Sequence, residues 1–195
     1  MAKAPGLGLI VGLGNPGEQY VRSRHNVGFW FVERLAEEYS ASFRLETKFG
    51  AEACRVSISD RVVWLLKPQS YMNNSGTGVA AFAEYYKLDA KQTLVVHDDL
   101  ALACGRIQIK TGGGHGGHNG LRNIALHFDS QFYRARIGID HPGKGRDVAN
   151  YVLKAPPKDQ HQQIEAAGSS LLAEIEALVD GDFDQVSTRL QSQTN

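Results

Sequence analysis

The chain has 195 residues, 42% of them apolar and 22% charged, with 21 basic side chains against 21 acidic ones. That composition suits one compact globular domain with a core of ordinary size, and zero formal charge excludes global basicity, so any polyanion-binding footprint must be local. The opening Met1-Ala-Lys-Ala-Pro-Gly is too short and polar for a cleavable signal, no apolar run approaches membrane-span length, and Cys54 and Cys104 lack CxxC spacing. The expectation is a cytoplasmic protein with no membrane contact and with structural, unpaired thiols.

In chain order, residues 7–13 form a short apolar run that predicts a strand, and the spacing of Val27, Trp30, Phe31 and Leu35 after it is helical. Residues 54–58 and 62–66 alternate on either side of Ser59-Asp60 and predict a hairpin. A helix follows over about 75–86. Then come a buried-type strand at 93–97, a half-exposed one at 106–110, a helix with Leu121, Ile124 and Ala125 on one face, and a strand at 134–139. Ile164, Ala167, Leu171, Leu172, Ile175, Leu178 and Val179 share one face of a long helix whose start is marked by Pro156-Pro157. Strands and helices interleaved in this way predict an α/β fold, a three-layer sandwich with a mixed sheet flanked by helices, in a single domain over 1–195. Residues from about 191 onward are expected to fray.

Residues 112–120, Gly-Gly-Gly-His-Gly-Gly-His-Asn-Gly, place six glycines around two imidazoles and a carboxamide. So costly a backbone predicts a functional loop, and it feeds a helix N-terminus, which favours anions. Two histidines three apart, with no carboxylate or thiolate at the usual ligand spacing, do not predict a metal site. Gly12-Leu-Gly-Asn-Pro-Gly17 satisfies GxGxxG after a strand, but Pro16 removes an N–H where a phosphate cradle needs donors. No second strand ends in an acidic residue at the distance dinucleotide binding requires.

His25 and Asn26 stand at the entrance to the first helix, whose positive end disfavours imidazolium. His25 is therefore a candidate general base near neutral pH, and Asn26 a candidate helix cap. His97-Asp98-Asp99 closes a predicted buried strand, where α/β sheets put their ligand crevices. An aspartate there that accepts from a histidine N–H would fix its tautomer and stabilise the imidazolium it becomes. Asn74 is expected to cap the helix after it, and Asn73 to present a donor and acceptor to an amide-containing ligand. Arg106, Lys110, Arg122, Arg134, Arg136, Lys144 and Arg146 flank the glycine loop and the later strand as a candidate phosphate-binding stripe.

Taken together and in this order, GLGNPGEQYVRSRHNVG, YMNNSG, HDDL and GGGHGGHNGLRN closely resemble bacterial peptidyl-tRNA hydrolases over nearly the whole chain. The resemblance implies a monomeric α/β globule with a twisted mixed sheet. It implies an enzyme that cleaves the ester between a peptide's carboxyl end and the terminal ribose of tRNA, without metal or organic cofactor, and so recycles tRNA from prematurely released peptidyl-tRNA. By the same resemblance His25 activates water and Asp98 holds it in its basic form. Asn15, Tyr20, Tyr71, Asn73 and Asn119 contact substrate, Asn15 distinguishing blocked from free aminoacyl ends. Lys110 and Arg136 hold tRNA phosphates. Ser23 stands where threonine is more familiar, and Gln69-Ser70-Tyr71 replaces a threonine pair and phenylalanine. The residues alone leave the oxyanion donor open among Asn73, Asn119 and the glycine-loop N–H groups, and a non-catalytic RNA-binding protein would share the basic stripe.

Overall fold

A computed structural model of the chain describes residues 5–192. Seven strands form one sheet: β1 (Leu9–Gly12), β2 (Arg44–Glu46), β3 (Ala51–Ile58), β4 (Arg61–Pro68), β5 (Thr93–Asp99), β6 (Ile107–Thr111) and β7 (Tyr133–Gly138), in the order β2-β3-β4-β1-β5-β7-β6. The centre, β4-β1-β5-β7, is parallel, while β2 and β3 extend one side and β6 the other by antiparallel pairing. Helices α1 (Val27–Glu38), α2 (Ser75–Tyr86), α3 (Asn119–His127), α4 (Val148–Val152), α5 (Lys158–Ala173), α6 (Ile175–Val179) and α7 (Phe183–Ser192) complete the chain. The mixed sheet flanked by helices is the α/β fold that the sequence predicts.

Side chains of a strand alternate between faces, and the two cores follow that period. Ile10, Leu65, Leu94 and Val96 are buried with Phe31, Val32 and Leu35 of α1 and with Leu171, Leu178 and Val186 of the C-terminal helices. Leu9, Val11, Leu66 and Val95 are buried on the other face with Val79 and Phe82 of α2 and with Leu121 and Ile124 of α3. The predicted hairpin is β3 and β4, joined by Ser59 and Asp60 with φ of 50° and 59°. Both are left-handed, the two-residue turn whose twist suits a hairpin.

Some expectations are corrected. The long C-terminal helix breaks at Glu174 (φ −100°, ψ 4°) into α5 and α6, and Arg189 Nη2 of α7 meets the Glu174 carboxylate there at 2.6 Å. Neither α7, with Phe183, Val186 and Leu190 buried, nor the short β2 and α4 was predicted. Ala125 is exposed, since only Gly120, Leu121 and Ile124 of α3 are buried. Of the residues expected to fray, 191 and 192 belong to α7, and 193–195 lie outside the described residues. No helix among the described residues is long and apolar enough to cross a membrane.

Gly28 sets how closely α1 sits on the sheet. A Cβ there would lie 2.3 Å from both Leu13 N and Val96 O, backbone atoms that have nowhere to go. Helix propensity alone makes Gly28→Ala stabilising by about 1 kcal/mol, whereas overpacking costs about 1–3 kcal/mol. Packing against two fixed backbone atoms should win, so we expect Gly28→Ala to lower the thermal midpoint by up to roughly 8 °C in calorimetry. A midpoint at or above wild type would show that α1 can slide.

Candidate active site

Parallel strands carry their following loops to one edge of the sheet, and here the segments after β1, β4, β5 and β7 meet there. β1 and β5 pair through Gly12 and Val96, and Leu13 N–H continues the ladder to Val96 O at 3.1 Å. The next segment turns through residues 24–26 as one 3-10 turn before α1 begins. Arg24 anchors that turn from below. Its Nη1 donates to the carbonyls of Tyr151, Lys154 and Ala155, its Nη2 to Gln160 Oε1, and its guanidinium lies 4.0 Å over the Tyr151 ring.

Fixed in this way, His25 meets Asp98 at the end of β5. Nδ1 lies 2.9 Å from Oδ1 and 3.1 Å from Oδ2. His118 Nε2 approaches the same Oδ1 at 3.1 Å, while its Nδ1 accepts the Leu121 N–H and caps α3. An ionised carboxylate only accepts, so His25 carries its proton on Nδ1 and His118 on Nε2. His25 Nε2 is left with a lone pair and no partner among the described residues. His97 donates Nδ1–H to the Asp98 carbonyl at 2.7 Å, and its buried Nε2 has no partner among the described residues.

The electrostatics follow from this arrangement. Burial opposes ionisation of Asp98, but the charges and N–H groups of His25 and His118 outweigh it and hold the carboxyl far below its ordinary 3.8. Burial likewise pushes His25 down, and the Asp98 charge and hydrogen bond more than offset it, so His25 ends above 6.5. The sequence alone predicts the opposite, a helix dipole keeping His25 neutral; the adjacent carboxylate is the stronger field. His97, wholly buried beside His118, is pushed well below 6.5.

A cavity of about 620 Å³ opens on this pair, lined among others by His25, Asp98, Lys110, Asn119, Arg136 and the loop 114–118. Of the other candidate residues, Lys110 is exposed and its ammonium is unpaired among the described residues. Arg136 is engaged, with Nε 2.8 Å from Asp99 Oδ2 and Nη1 2.7 Å from Gln108 Oε1. Asn119 accepts from Arg122 Nη2 at 2.6 Å, which leaves its Nδ2 donors unused. Asn15 lines a separate cavity of about 140 Å³ with Asn26, Phe29, Trp30 and Lys67. Tyr20 and Tyr71 meet edge to face with centroids 6.5 Å apart, and Asn73 is exposed in the turn before α2.

Both expected asparagine caps are corrected. Asn26 makes no cap bond and instead binds the Asn15 backbone, and Asn74 Oδ1 accepts from the Thr77 hydroxyl rather than from a helix N–H. The sequence pattern sets His115 and His118 in one loop without telling which turns inward; the clue is position, since His118 directly precedes α3. Cys54 is buried and Cys104 half-buried; burial is the main cause that pushes both thiols up to about 11, which makes them poor nucleophiles. His25, Asp98 and His118 are the one group of three described side chains whose candidate metal-ligand atoms converge, all within 4.8 Å. Both rings point N–H groups at Asp98 Oδ1, protons that a metal would have to displace. The separations of 2.9 and 3.1 Å are those of hydrogen bonds.

A carboxylate-oriented imidazole with one nitrogen free, on a cavity with a cationic rim, is an arrangement that can take up a proton and attract an anion. Comparison with known proteins narrows this further. Residues 9–195 match the family model described as peptidyl-tRNA hydrolase. A peptidyl-tRNA hydrolase of Neisseria meningitidis serogroup C is 45% identical over 94% of this chain and 96% of its own length. One from Coxiella burnetii is 48% identical over 96% and 98% respectively. The crystal structure of peptidyl-tRNA hydrolase from Acinetobacter baumannii superposes with a TM-score of 0.93 at 41% identity, covering 97% of each chain. The chain belongs to the peptidyl-tRNA hydrolase family.

The opposed effects on His25 predict a titration. In NMR spectra of the imidazole C–H groups, His25 should titrate above 6.5 in the wild type. In Asp98→Asn, where burial alone remains, it should fall below 6.5. A His25 midpoint that stays above 6.5 in that variant would assign the shift to another group. His97 should take up no proton between about pH 5 and 8.

Proposed function

We propose that this chain hydrolyses the ester between a peptide's C-terminus and the 3′-terminal ribose of tRNA, with His25 as general base, and without a metal. The observation that carries the reading is the oriented His25–Asp98 pair on the wall of the large cavity, in a chain of this family. An ester is activated relative to an amide, so one positioned base worth ~10²–10⁴-fold, with oxyanion stabilisation, can suffice without a covalent nucleophile.

His25 Nε2 removes a proton from water, and the oxygen attacks the ester carbonyl carbon. The imidazolium so formed is stabilised by Asp98, which stays ionised. Negative charge gathers on the carbonyl oxygen, and the unused Nδ2 donors of Asn119, on the same cavity wall, are the side-chain candidates best placed to receive it. In the glycine loop, the N–H groups of Gly117 and His118 are already spent on His115. The tetrahedral intermediate collapses, the C–O bond to ribose breaks, and His25 returns its proton to the leaving ribose oxygen. Peptide and free tRNA are the products.

Asn15 supplies selectivity. Its Oδ1 accepts the Met72 N–H at 2.7 Å, so only Nδ2 is left to face substrate. An N–H donor meets the carbonyl of a peptide bond well and the ammonium of an unblocked aminoacyl end badly. Lys110 and Arg136 hold phosphates, and Lys110, the one not already paired to a carboxylate, carries the larger part of the attraction. The chain acts as a monomer in the cytoplasm and recycles tRNA from peptidyl-tRNA released early.

Release of tRNA from N-acetyl-aminoacyl-tRNA and from unblocked aminoacyl-tRNA, measured in chelator, tests this. Wild type should cleave the blocked substrate far faster than the unblocked one, and His25→Ala should lose at least ~10²-fold in kcat/KM on the blocked substrate. Activity that vanishes in chelator and returns with a divalent metal would refute the metal-free mechanism. Tight tRNA binding with no cleavage under any condition would make the chain a binding protein. In tRNA-binding titrations, Lys110→Ala should reduce the slope of log affinity against log salt by about 1 while sparing a small ester substrate. Equal losses on both would contradict a phosphate contact.

A further inference from the structure

Asn26 is 2% exposed, is adjacent to the proposed base, and does not cap the helix it precedes. Its carboxamide grips a single residue across the site. Asn15 N–H donates to Asn26 Oδ1 at 2.8 Å, and Asn26 Nδ2 donates to the Asn15 carbonyl at 2.9 Å. One side chain thus satisfies both main-chain groups of a residue eleven positions away, as a strand partner would. Its remaining contact is a long one, 3.4 Å from Ser23 Oγ. The Asn15 side chain is fixed from the other direction by Met72 N–H. Asn15 has no further polar group except Nδ2, so its backbone placement decides where those donors point.

We propose that Asn26 is a positioning residue for substrate discrimination. It holds Asn15 in register with His25, so that the group reading the peptide amide and the group activating water move as one unit. The inference rests on the reading of Asn15 as the residue that tells blocked from unblocked ends. Residue 25 reaches Asp98 on β5 and residue 26 reaches Asn15 after β1, from one 3-10 turn that Arg24 clamps to the 151–155 carbonyls. Three successive residues therefore set anchor, base and reader. Asn26 touches neither the ester nor Asp98, and its loss should act on the reader more than on the base.

Asn26→Asp separates these effects. A carboxylate still accepts the Asn15 N–H, but it faces the Asn15 carbonyl with a second acceptor and pushes that peptide away. The measurement is kcat/KM for N-acetyl-aminoacyl-tRNA divided by kcat/KM for unblocked aminoacyl-tRNA, both on one preparation. The fraction of folded protein cancels in that ratio. Asn26→Ala, which removes both bonds without adding charge, is measured in parallel with Asn15→Asp and with Ser23→Ala, which loses only the long contact. We expect both Asn26 variants to narrow the ratio by about tenfold or more. The acid limb of the pH profile should keep its wild-type midpoint, and Ser23→Ala should keep the wild-type ratio. A ratio within about twofold of wild type in both Asn26 variants, with Asn15→Asp collapsing it, would overturn the positioning role alone. An unchanged ratio in Asn15→Asp would remove the reading of Asn15 and this inference with it. A shifted acid limb in both Asn26 variants would show that Asn26 acts on His25 instead.

Discussion

Asp98 is an ionised carboxylate only 3% exposed, and a buried charge is tolerable only where donors surround it. Its donors come from His25 in the turn before α1 and from His118 at the head of α3, two segments 93 residues apart in sequence. Satisfying one charge therefore gathers three parts of the chain. Breaking such a pair typically costs about 3–5 kcal/mol, because the remaining charge is stranded. The same demand sets the chemistry, since each ring must turn a particular nitrogen to the carboxylate, and only His25 is left with a lone pair on the cavity wall. Orientation of the base is thus a by-product of burying the acid.

Its neighbour Asp99 does a different job. Successive strand residues face opposite ways, so Asp99 turns from the histidines to Arg136 and, with Gln108, holds that guanidinium in place. Arg134 is also bound inward, donating to the Gly114 carbonyl and so tethering the glycine loop. At Gly113, φ is 87°, a backbone that favours glycine, and a Cβ would also crowd Arg134 Nη2 at 3.0 Å. Of these three cations lining the cavity, Lys110 is the one left unpaired to the solvent side. A formally neutral protein can in this way present a local positive rim while its other charges serve the fold.

Much of this was legible in the sequence because it depends on short-range pattern. Alternation in residues 54–58 and 62–66 marks a hairpin whatever surrounds it, and an apolar run ending in His-Asp-Asp marks the carboxyl end of a buried strand. The family signatures brought His25 and Asp98 forward together. Where the structure differs, side chains take partners that periodicity does not specify. Asn26 and Asn74 sit where helix caps belong, yet one is taken by Asn15 and the other by Thr77. The stripe from Ile164 to Val179 continues with helical period, but Arg189 holds Glu174 where the helix breaks. α7 carries a helical spacing of its own in Phe183, Val186 and Leu190, too short a stripe to stand out beside the longer one before it.

Sequence by itself determined the class of fold, the order of its longer strands and helices up to α5, and the residue types that could do acid–base work. Those follow from periodicity, turn chemistry and side-chain identity, which are local properties of the chain. Only the tertiary structure decided that His118 joins Asp98 while His115 does not, and that Asn26 serves Asn15 instead of α1. It also decided that Arg136 is paired while Lys110 is not, and that His25 lies above its ordinary pKa. Each of these turns on which groups meet across the sheet edge after folding. Hydrogen-bond partners and local fields are set by distances of about 3 Å between residues that sequence places tens of positions apart.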